Sequence, residues 1–584
     1  MNLLLVIPQF KSEYKGRNKA NYYFPLGIAY ISSFLKSKGI NVLTYNGMLV
    51  DKKSAYDRIH AIIKKNKINI VGIGGLTGEY SNIAFYARII KKINKQILIV
   101  LGGGFVTSNP KVSMQLIEEA DFGIIGQGEV VFYNLIDKLI NNRSVMNVSN
   151  LIYRNNGEIV VTDIKDVEMD LNLLPFPDYE GFNFIDLIEE NERVSGKKVA
   201  PIIASRSCPF SCTFCFHPLG EKYNKRTIEN VISEIEWLVK KYKINKFSLV
   251  DELFIDNIDN LKKFCSYMEQ KNLEWECCAR VNSISEEVGY ILKKGKCKRV
   301  SLGLESADDS VLKSMRKGIT QKMIGEALRV LRKVRIEAVG AFIFGDIEEN
   351  INSVKTTIDY YLANPEYAID LNLLRVFPGT YDYEYALAKK IIKNELDYIS
   401  KGCPYINISK LRDEKFSNLK FYIEKAISKK VRKPLLISFD KNENYYTCKY
   451  KCRRCKNEND IKVFELAETN ECFCKECAEY YHFSIIDFYE DALVNKLKEY
   501  SKQYSEILLF PINHISLKVY YMCKDNVKIN FYETRYKNIS LPIIYDGDIK
   551  NNLLIINCAY GREYKKVDTQ ICIDNIVESC LGYE

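Results

Sequence analysis

The sequence predicts an α/β protein with a doubly wound parallel sheet, a partial TIM-like (β/α)6 barrel, a small four-cysteine ribbon and a small C-terminal α/β unit. Two observations predict the parallel sheets. Short apolar runs alternate with amphipathic helical patterns up to about residue 143, and this alternation resumes at Val199. A third observation predicts metal sites: the 18 cysteines all follow residue 207 and concentrate in short spacings. Parallel strands bind ligands beyond their carboxyl ends.

Residues 1–145 contain five strand–helix units and are assigned to a Rossmann-like domain. Its strands are predicted at 3–7, 41–45, 68–73, 97–101 and 122–126. Glycines follow three of these strands, so the backbone there can approach a ligand closely, although tight turns alone would explain them equally well. The positions in question are Gly74, Gly75, Gly102, Gly103, Gly104, Gly126 and Gly128, with Glu129 after the last glycine.

Residues 146–195 are predicted to form a hairpin and an extended linker. The hairpin is indicated by the turn signal Asn155-Asn156-Gly157, and the linker by Pro175 and Pro177. Residues 196–400 then repeat the strand–helix alternation, with strands predicted at 199–204, 246–250, 275–279, 299–304, 337–343 and 368–374. Six such units predict an incomplete barrel that carries its chemistry on the loops after the strands.

Polar residues follow the predicted barrel strands and should meet at one mouth. They are Cys208, Cys212, Cys215, Asp251, Glu252, Arg280, Glu305, Ser306, Gly345 and Arg375. The three cysteines have the spacing C-x3-C-x2-C, which lets one loop wrap around an iron–sulfur cluster and leaves one iron of a 4Fe–4S cubane open. A structural zinc loop with His217 as fourth ligand is the alternative.

The cysteine spacing, with Phe214 directly before the last cysteine, resembles the radical S-adenosylmethionine (SAM) superfamily. The resemblance implies that the open iron binds SAM, which is cleaved to a 5′-deoxyadenosyl radical. It implies further that Asp251 and Glu252 hold the SAM amino group, and that Glu305 bonds the ribose. Phe214, Arg280, Ser306 and Gly345 are the other expected SAM contacts. The segment after Gly345 departs from the family's Gly-x-Pro-Gly-Glu at Ile347 and Glu348, a change that the strand is expected to survive.

Three segments of the first domain resemble the cobalamin-binding domain found ahead of many radical SAM barrels: residues 24–30, 101–104 and 126–129. The resemblance implies cobalamin bound against Gly102, Gly103, Gly104, Gly126, Gly128 and Glu129. The family's Asp-x-His-x-x-Gly loop is missing, because the nearest match, Asp57 and His60, lies inside a predicted helix. Cobalamin is therefore expected without a protein histidine on cobalt. Phe105 also stands where relatives often carry histidine.

The C-terminal third is divided into a helical connector (401–445), a ribbon (446–485) and an α/β unit (486–584). Two C-x2-C pairs, separated by 18 residues, suit a tetrahedral zinc site; they are Cys452, Cys455, Cys474 and Cys477. Cys448 extends the first pair to a second C-x3-C-x2-C, so an auxiliary iron–sulfur cluster remains the alternative. The role of the last unit is left open.

Composition limits the partners. The net charge of +10 is small for 584 residues and spread along the chain, which argues against nucleic-acid binding. No run is long enough for a membrane span. Clustered cysteines without a secretory signal favour the cytoplasm, and an open iron favours anaerobic conditions. The expected partners are a small-molecule or peptide substrate and an electron donor such as flavodoxin or ferredoxin.

The leading hypothesis is a cobalamin-dependent radical SAM enzyme that methylates an unactivated carbon. Ring formation or rearrangement with the same cofactors is the first alternative, and a ribbon-based binding or scaffold protein with an inactive barrel is the second. Methylthiotransfer is nearly excluded, because that group needs three cysteines in the first domain and residues 1–207 contain none.

Overall fold

The computed structural model describes residues 1–10, 24–166, 169–219, 222–443, 445–532, 543–544, 553–558 and 570–580. They form two large sheets, which carry the candidate site, and three smaller sheets after residue 434. Within these ranges, no helix combines the length and apolar character that crossing a membrane requires.

The first sheet has seven strands in the order β2-β1-β3-β4-β5-β6-β7, and the first five are parallel. Helices cover both faces of the parallel strands. Leu3 and Leu5 pack on one face with Leu26 and Leu135, whereas Leu4 and Val6 pack on the other with Ile59 and Ile83. The strands are β1 (Asn2–Ile7), β2 (Asn41–Asn46), β3 (Ile70–Gly74), β4 (Leu98–Gly102), β5 (Phe122–Ile124), β6 (Leu151–Asn155) and β7 (Glu158–Val161). The helices are α1 (Leu26–Ser37), α2 (Ala55–Asn66), α3 (Tyr80–Ile93), α4 (Gly104–Ser108), α5 (Pro110–Leu116) and α6 (Gly128–Ile140).

The hairpin β6–β7 forms, but it does not belong to the linker between the first domain and the barrel. β6 pairs antiparallel with β5, so the hairpin extends the first sheet and the first domain runs to about Val161 rather than to residue 145. β5 has only three residues, and a short edge strand leaves backbone groups unpaired unless another strand covers it. The predicted boundary is corrected accordingly.

The second sheet is an open barrel of six parallel strands in the order β15-β14-β13-β12-β11-β8. Its strands are β8 (Val199–Ile202), β11 (Lys246–Leu249), β12 (Glu274–Ala279), β13 (Cys297–Glu305), β14 (Glu337–Phe344) and β15 (Ala368–Leu373), and a short pair, β9 (Ser205–Arg206) and β10 (Asn224–Lys225), lies between the first two. The helices are α7 (Phe184–Ser195), α8 (Ile228–Tyr242), α9 (Ile258–Gln270), α10 (Glu286–Lys294), α11 (Asp309–Ser314), α12 (Gln321–Lys333) and α13 (Ile351–Ala363).

The helical connector ends earlier than predicted. After the last barrel strand come α14 (Tyr381–Ala388) and α15 (Glu395–Ser400), and the connector itself contains α16 (Asp413–Ser417) and α17 (Leu419–Lys429). The next segment, β16 (Leu435–Lys441), pairs with β17 (Tyr446–Lys451) and so belongs to the ribbon, which also contains β18 (Glu458–Val463), β19 (Asn470–Phe473) and β20 (Tyr480–Phe483). The ribbon therefore begins about ten residues before the predicted position.

The last unit is a five-stranded parallel sheet in the order β23-β22-β21-β24-β25. Its elements are α18 (Glu490–Gln503), β21 (Glu506–Phe510), α19 (His514–Cys523), β22 (Ile529–Tyr532), β23 (Ile543–Ile544), β24 (Leu553–Asn557), β25 (Gln570–Cys572) and α20 (Ile573–Cys580). The predicted extension of this unit to Glu584 lies outside the described residues.

The ribbon packs against the barrel at the amino ends of the barrel strands. The buried carboxylate of Glu479 pairs with Arg332, near the end of α12, at 2.9 Å, and also with Arg432. Phe473 lies 5.8 Å from the guanidinium of Arg299, near the start of β13. These contacts are at the end of the barrel opposite to the mouth, where the polar residues of the candidate site lie.

Candidate active site

The three cysteines of the first cluster lie within residues 207–219, which follow β9, and the β9–β10 pair closes the base of this segment. Cys212 is buried, Cys208 is half-buried and Cys215 is exposed. The Cys215 thiol, which hydrogen-bonds to Cys212, lowers the pKa of Cys212 to about 5 against the effect of burial, and nearby Lys317 and Arg280 add to this. Cys212 is thus favoured as a thiolate, the form that binds metal. We call residues 207–219 the cluster loop.

In the described residues, the cysteines of the cluster loop are not arranged as ligands of a single metal ion. Unlike the cysteines of the ribbon, those of the cluster loop do not form a group whose sulfurs all lie within 4.8 Å of one another. A tetrahedral zinc needs such a group, whereas each thiolate of a 4Fe–4S cluster binds its own iron. His217, the fourth ligand of the zinc alternative, has its Nε2 3.1 Å from the Phe210 carbonyl oxygen, and its Nδ1 lies 3.3 Å from Glu252 without a hydrogen bond.

Asp251 supports the base of the cluster loop. Its carboxylate accepts hydrogen bonds from the Ala204 N–H at 2.9 Å, from the Ser205 hydroxyl at 2.6 Å and from the Ser205 N–H. Burial raises the pKa of Asp251 to about 6, and these hydrogen bonds oppose the shift. Its oxygens are therefore already used inside the protein. Of the two carboxylates predicted to hold the SAM amino group, Glu252 is the one that faces solvent, with a side chain 43% exposed.

Glu305 sits at the end of β13 in a left-handed conformation, with φ +60°, beside a β-bulge. Its carboxylate lies 2.7 Å from Lys317 Nζ, and both side chains are less than a tenth exposed. Burial raises the pKa of Glu305, and the ammonium of Lys317 opposes the shift. The Arg280 guanidinium donates to the Lys317 carbonyl oxygen and lies 3.7 Å from Cys212 Sγ. The sequence pattern missed Lys317 because it follows a helix rather than a strand.

Three other residues predicted at the barrel mouth lie in different surroundings. Ser306 is buried, with its hydroxyl 3.1 Å from that of Thr357, so it also packs inside the protein. Phe214 is half-buried, and its ring centre lies 5.9 Å from Lys317 Nζ. Arg375 lies over the ring of Tyr405 at 4.9 Å, beyond the last strand.

The strand before Gly345 forms despite the changes at Ile347 and Glu348, as predicted, because β14 runs to Phe344. The Gly345 N–H donates to the Glu349 carboxylate at 3.1 Å, and its φ of +117° is one that a side chain would disfavour. The other Glu349 oxygen accepts from the Ser353 hydroxyl at 2.6 Å. Burial raises the pKa of Glu349 to about 7.

This raised pKa predicts a pH-dependent stability. Between about pH 4.5 and pH 7 the unfolded chain releases the Glu349 proton while the folded chain keeps it, so the free energy of unfolding falls as the pH rises. Glu349→Gln is expected to stabilise the protein by up to about 3 kcal/mol above pH 7 and not at about pH 4.5. Denaturant unfolding at both values checks this. Glu348→Gln, a neighbouring exposed carboxylate, is the control; an identical pH slope for Glu349→Gln and wild type would contradict the prediction.

Buried polar atoms without a protein partner gather around the cluster loop. Within the described residues they include Thr213 Oγ1, Arg280 Nε, Asp346 Oδ2 and both carboxylate oxygens of Asp382. Asp382 also donates its N–H to the Thr213 carbonyl oxygen at 3.2 Å. Buried polar groups are normally hydrogen-bonded, so this surrounding suits a polar ligand such as SAM. The sequence pattern did not indicate either aspartate. Asp346 follows β14, and Asp382 stands two residues after Thr380.

A cavity of about 510 Å³ opens at the carboxyl ends of β1, β3 and β4. Apolar side chains and glycine backbone form most of its wall. A Cβ on Gly102 would meet nothing within 4 Å, whereas one on Gly103, whose φ is +80°, would lie 2.8 Å from the Gly75 carbonyl oxygen. The structure thus brings the predicted cobalamin residues together around one cavity: Gly102, Gly103, Gly104, Gly126, Gly128 and Glu129.

The cavity and the cluster loop are neighbours. Phe216 of the cluster loop lies 3.7 Å from the position of a Cβ on Gly104, and Leu219 of the same loop lines the cavity. A wide, largely apolar space with a bare glycine edge fits the face of a corrin ring, which is broad and flat. His60 lies on the exposed face of α2 against Tyr56, away from this cavity.

The ribbon cysteines form the one group within the described ranges whose metal-binding atoms all lie within 4.8 Å of one another. Its members are Cys452, Cys455, Cys474 and Cys477. Cys452 Sγ lies 3.6 Å from Cys477 Sγ, and Cys455 Sγ lies 3.5 Å from Cys474 Sγ. A tetrahedral zinc with Zn–S bonds of about 2.3 Å places its sulfurs about 3.8 Å apart. The donor set therefore fits zinc.

Two neighbours donate to these sulfurs, as expected around a metal site. The Tyr481 hydroxyl lies 3.2 Å from Cys452 Sγ, and Asn459 Nδ2 lies 3.5 Å from Cys474 Sγ. Burial raises the pKa of Cys452, but the hydrogen bond from Tyr481 and others lower it to about 7. Cys448 is buried on β17 outside this group, so the second C-x3-C-x2-C does not act as one set of ligands.

A glycine-edged cavity on a doubly wound sheet, facing a three-cysteine loop at the mouth of an open six-stranded barrel, defines a radical SAM enzyme with a cobalamin-type domain. Family models agree: the B12 binding domain matches residues 16–136 and the Radical SAM superfamily matches residues 202–361. An uncharacterized methyltransferase of Pyrococcus horikoshii is 30% identical over 398 residues, which cover 67% of this chain and 84% of that protein. The chain belongs to this family of radical SAM enzymes with a B12-binding domain.

More distant proteins share the fold. The anaerobic magnesium-protoporphyrin IX monomethyl ester cyclase of Rubrivivax gelatinosus is 27% identical over 388 residues, covering 63% of this chain and 67% of the cyclase. The methyltransferase TsrM from Kitasatospora setae superposes with a TM-score of 0.54 at 16% identity, over 66% of this chain and 79% of TsrM. The cobalamin-dependent enzyme OxsB superposes with a TM-score of 0.53 at 16% identity, over 86% of this chain and 69% of OxsB.

Proposed function

We propose that this enzyme methylates an unactivated carbon of its substrate, using a 4Fe–4S cluster, SAM and cobalamin. The observation that supports this is the shared wall of the cavity and the cluster loop, at Phe216 and Leu219. When bound, the cluster and SAM supply a carbon-centred radical and cobalamin supplies a methyl group. A substrate held between the cavity and the cluster loop would be within reach of both cofactors.

The residues at the mouth have separate tasks. Cys208, Cys212 and Cys215 would hold the cluster, and Arg280 stabilises the thiolate of Cys212 from 3.7 Å. Glu305, fixed by Lys317 at 2.7 Å, presents a carboxylate oxygen to a ligand hydroxyl. The apolar wall of the cavity excludes water, which would quench reactive species.

Isotope-labelled SAM tests the reaction. The enzyme, reconstituted anaerobically with iron, sulfide and cobalamin, would be incubated with dithionite as the electron donor, methyl-deuterated SAM and a small-molecule extract of its own cells. We expect a product that is heavier by one labelled methyl group, formed together with 5′-deoxyadenosine. A product without label and lighter by two hydrogens would contradict methylation and favour ring formation, the reaction after which the Rubrivivax gelatinosus relative is named.

Reduction requires an electron donor, and we propose flavodoxin or ferredoxin for this task, in a low-oxygen cytoplasm. The exposed part of the cluster loop, Pro209 to Ser211, supports this, because it brings the cluster close to the surface. The substrate is proposed to be a small molecule or a peptide.

We further propose that the ribbon holds zinc in a structural role. Cys474→Ser is expected to lose the zinc and to lower the melting temperature, because a ribbon of this size depends on its metal for stability. Iron content and SAM cleavage should remain, since the ribbon lies at the far end of the barrel from the mouth. Metal analysis and calorimetry check this, with Cys572→Ser as control; a loss of four irons from Cys474→Ser would contradict it.

A further inference from the structure

An arginine at the base of the cluster loop reaches into the first domain. Side chains alternate along β9, so Ser205 faces Asp251 and the barrel, whereas Arg206 faces the opposite way. Arg206 Nη2 lies 2.6 Å from Glu129 Oε1, and Nη1 lies 3.1 Å from Gln127 Oε1. The side chains of Arg206 and Glu129 are only 6% and 3% exposed. One guanidinium thus holds both Gln127, which directly precedes α6, and Glu129, in the first turn of α6.

A second arginine at the base of the cluster loop, Arg226, also contacts the first domain. Arg226 directly follows β10, and its Nη1 lies 3.3 Å from the Tyr30 hydroxyl and 2.9 Å from the Ile203 carbonyl oxygen. The same group pairs with the buried carboxylate of Glu234. Tyr30, on α1, therefore has Arg226 at its hydroxyl and the Arg206 guanidinium 5.2 Å from its ring centre.

This buried network lies in the wall of the cavity. Tyr30, Glu129 and Arg206 all line it, next to the glycines of the cobalamin edge. A buried ion pair adds little net stability compared with apolar residues of equal size, because both charges lose their water. Its hydrogen bonds are directional, however, and a planar guanidinium held at both Nη atoms fixes both distance and angle. The network is therefore better suited to setting a geometry than to stabilising the fold.

We propose that Arg206, Glu129 and Tyr30 are positioning residues that fix the cluster loop at one distance and orientation relative to the cobalamin in the cavity. Arg206 stands two residues before Cys208, so the contacts of its side chain anchor the chain close to the first cluster ligand. A misplacement of about 1 Å between reacting groups is enough to impair a reaction. The inference rests on the proposed function, since it assumes that cobalamin binds.

Glu129→Gln tests the network with the smallest change. It keeps the shape of the side chain but leaves the Arg206 charge buried without a carboxylate, so the loop should adopt several positions. Arg206→Lys is the second variant, because lysine keeps the charge but cannot hold Glu129 and Gln127 together. Asp487→Asn is the matched control: Asp487 pairs with Lys518 at 2.9 Å, the side chains are 3% and 4% exposed, and the pair lies in the C-terminal part of the chain.

The measurement is pulsed electron paramagnetic resonance of the holoenzyme, with a reduced cluster and cob(II)alamin as the two spins. We expect a single narrow distance in wild type and in Asp487→Asn, and a distribution shifted or broadened by about 1 Å in both test variants. If Glu129→Gln does not fold, Arg206→Lys decides. Unchanged distances in a variant that holds both cofactors would overturn the inference alone, whereas wild type that binds no cobalamin would overturn the proposed function as well.

Discussion

Cys212→Ala is expected to lose the 4Fe–4S cluster and to reduce 5′-deoxyadenosine formation by more than about 10³-fold, since losing an essential catalytic group takes the rate towards background. Cys212 is the buried member of the three cluster-loop cysteines. It is also the one whose thiolate Arg280 stabilises. Two remaining thiolates cannot hold a cubane that already leaves one iron without a protein ligand.

Iron analysis and quantification of 5′-deoxyadenosine by mass spectrometry check this prediction. Cys448→Ala is the control, because it removes a buried cysteine of the second C-x3-C-x2-C that lies outside the ribbon's metal group. The control should keep its iron and its SAM cleavage. Wild-type amounts of 5′-deoxyadenosine from Cys212→Ala would show that the cluster loop is not the site of SAM cleavage.

Gly102→Leu is expected to abolish cobalamin binding while SAM cleavage continues. Gly102 has an ordinary backbone conformation and open space at its Cβ position, so leucine can be placed there without strain in the fold. The new side chain would project from the edge of β4 into the cavity of about 510 Å³. Occupying that volume should weaken binding by at least about 100-fold, or roughly 3 kcal/mol.

Absorbance titration with cobalamin measures the affinity, and 5′-deoxyadenosine formation reports the intact barrel. Gly78→Leu is the matched control, because Gly78 is also free at its Cβ position but is exposed and does not line the cavity. Equal cobalamin affinity in Gly102→Leu and wild type would show that the cofactor binds elsewhere.

The sequence predicted the two large sheets closely, because periodicity is a local property. The strands of both sheets lie within about two residues of their predicted positions, and the strand-end rule placed Cys212, Arg280 and Glu305 at one mouth. The rule did not distinguish residues that face a ligand from residues that hydrogen-bond to the end of a neighbouring strand. Asp251 follows its strand as predicted, but its carboxylate is used by Ser205 inside the protein.

Residues that act through distant contacts were not predictable in this way. Arg206 and Glu129 are 77 positions apart, and neither residue type nor local pattern indicates that they pair. Lys317 follows a helix, and the rule that places ligand contacts after strands does not cover such a position. The hairpin β6–β7 was predicted as an element, yet its pairing with β5 depends on an edge that only the folded sheet presents.

The most direct measurement is the metal and cofactor content of the protein purified and reconstituted anaerobically with excess cobalamin. The proposed cofactor content is four irons, one zinc and one cobalt per chain, held by the cluster loop, the ribbon and the glycine-edged cavity. A chain that takes up four irons and one zinc but no cobalt at any cobalamin concentration would contradict the two-cofactor site. Eight irons without zinc would contradict the assignment of the ribbon.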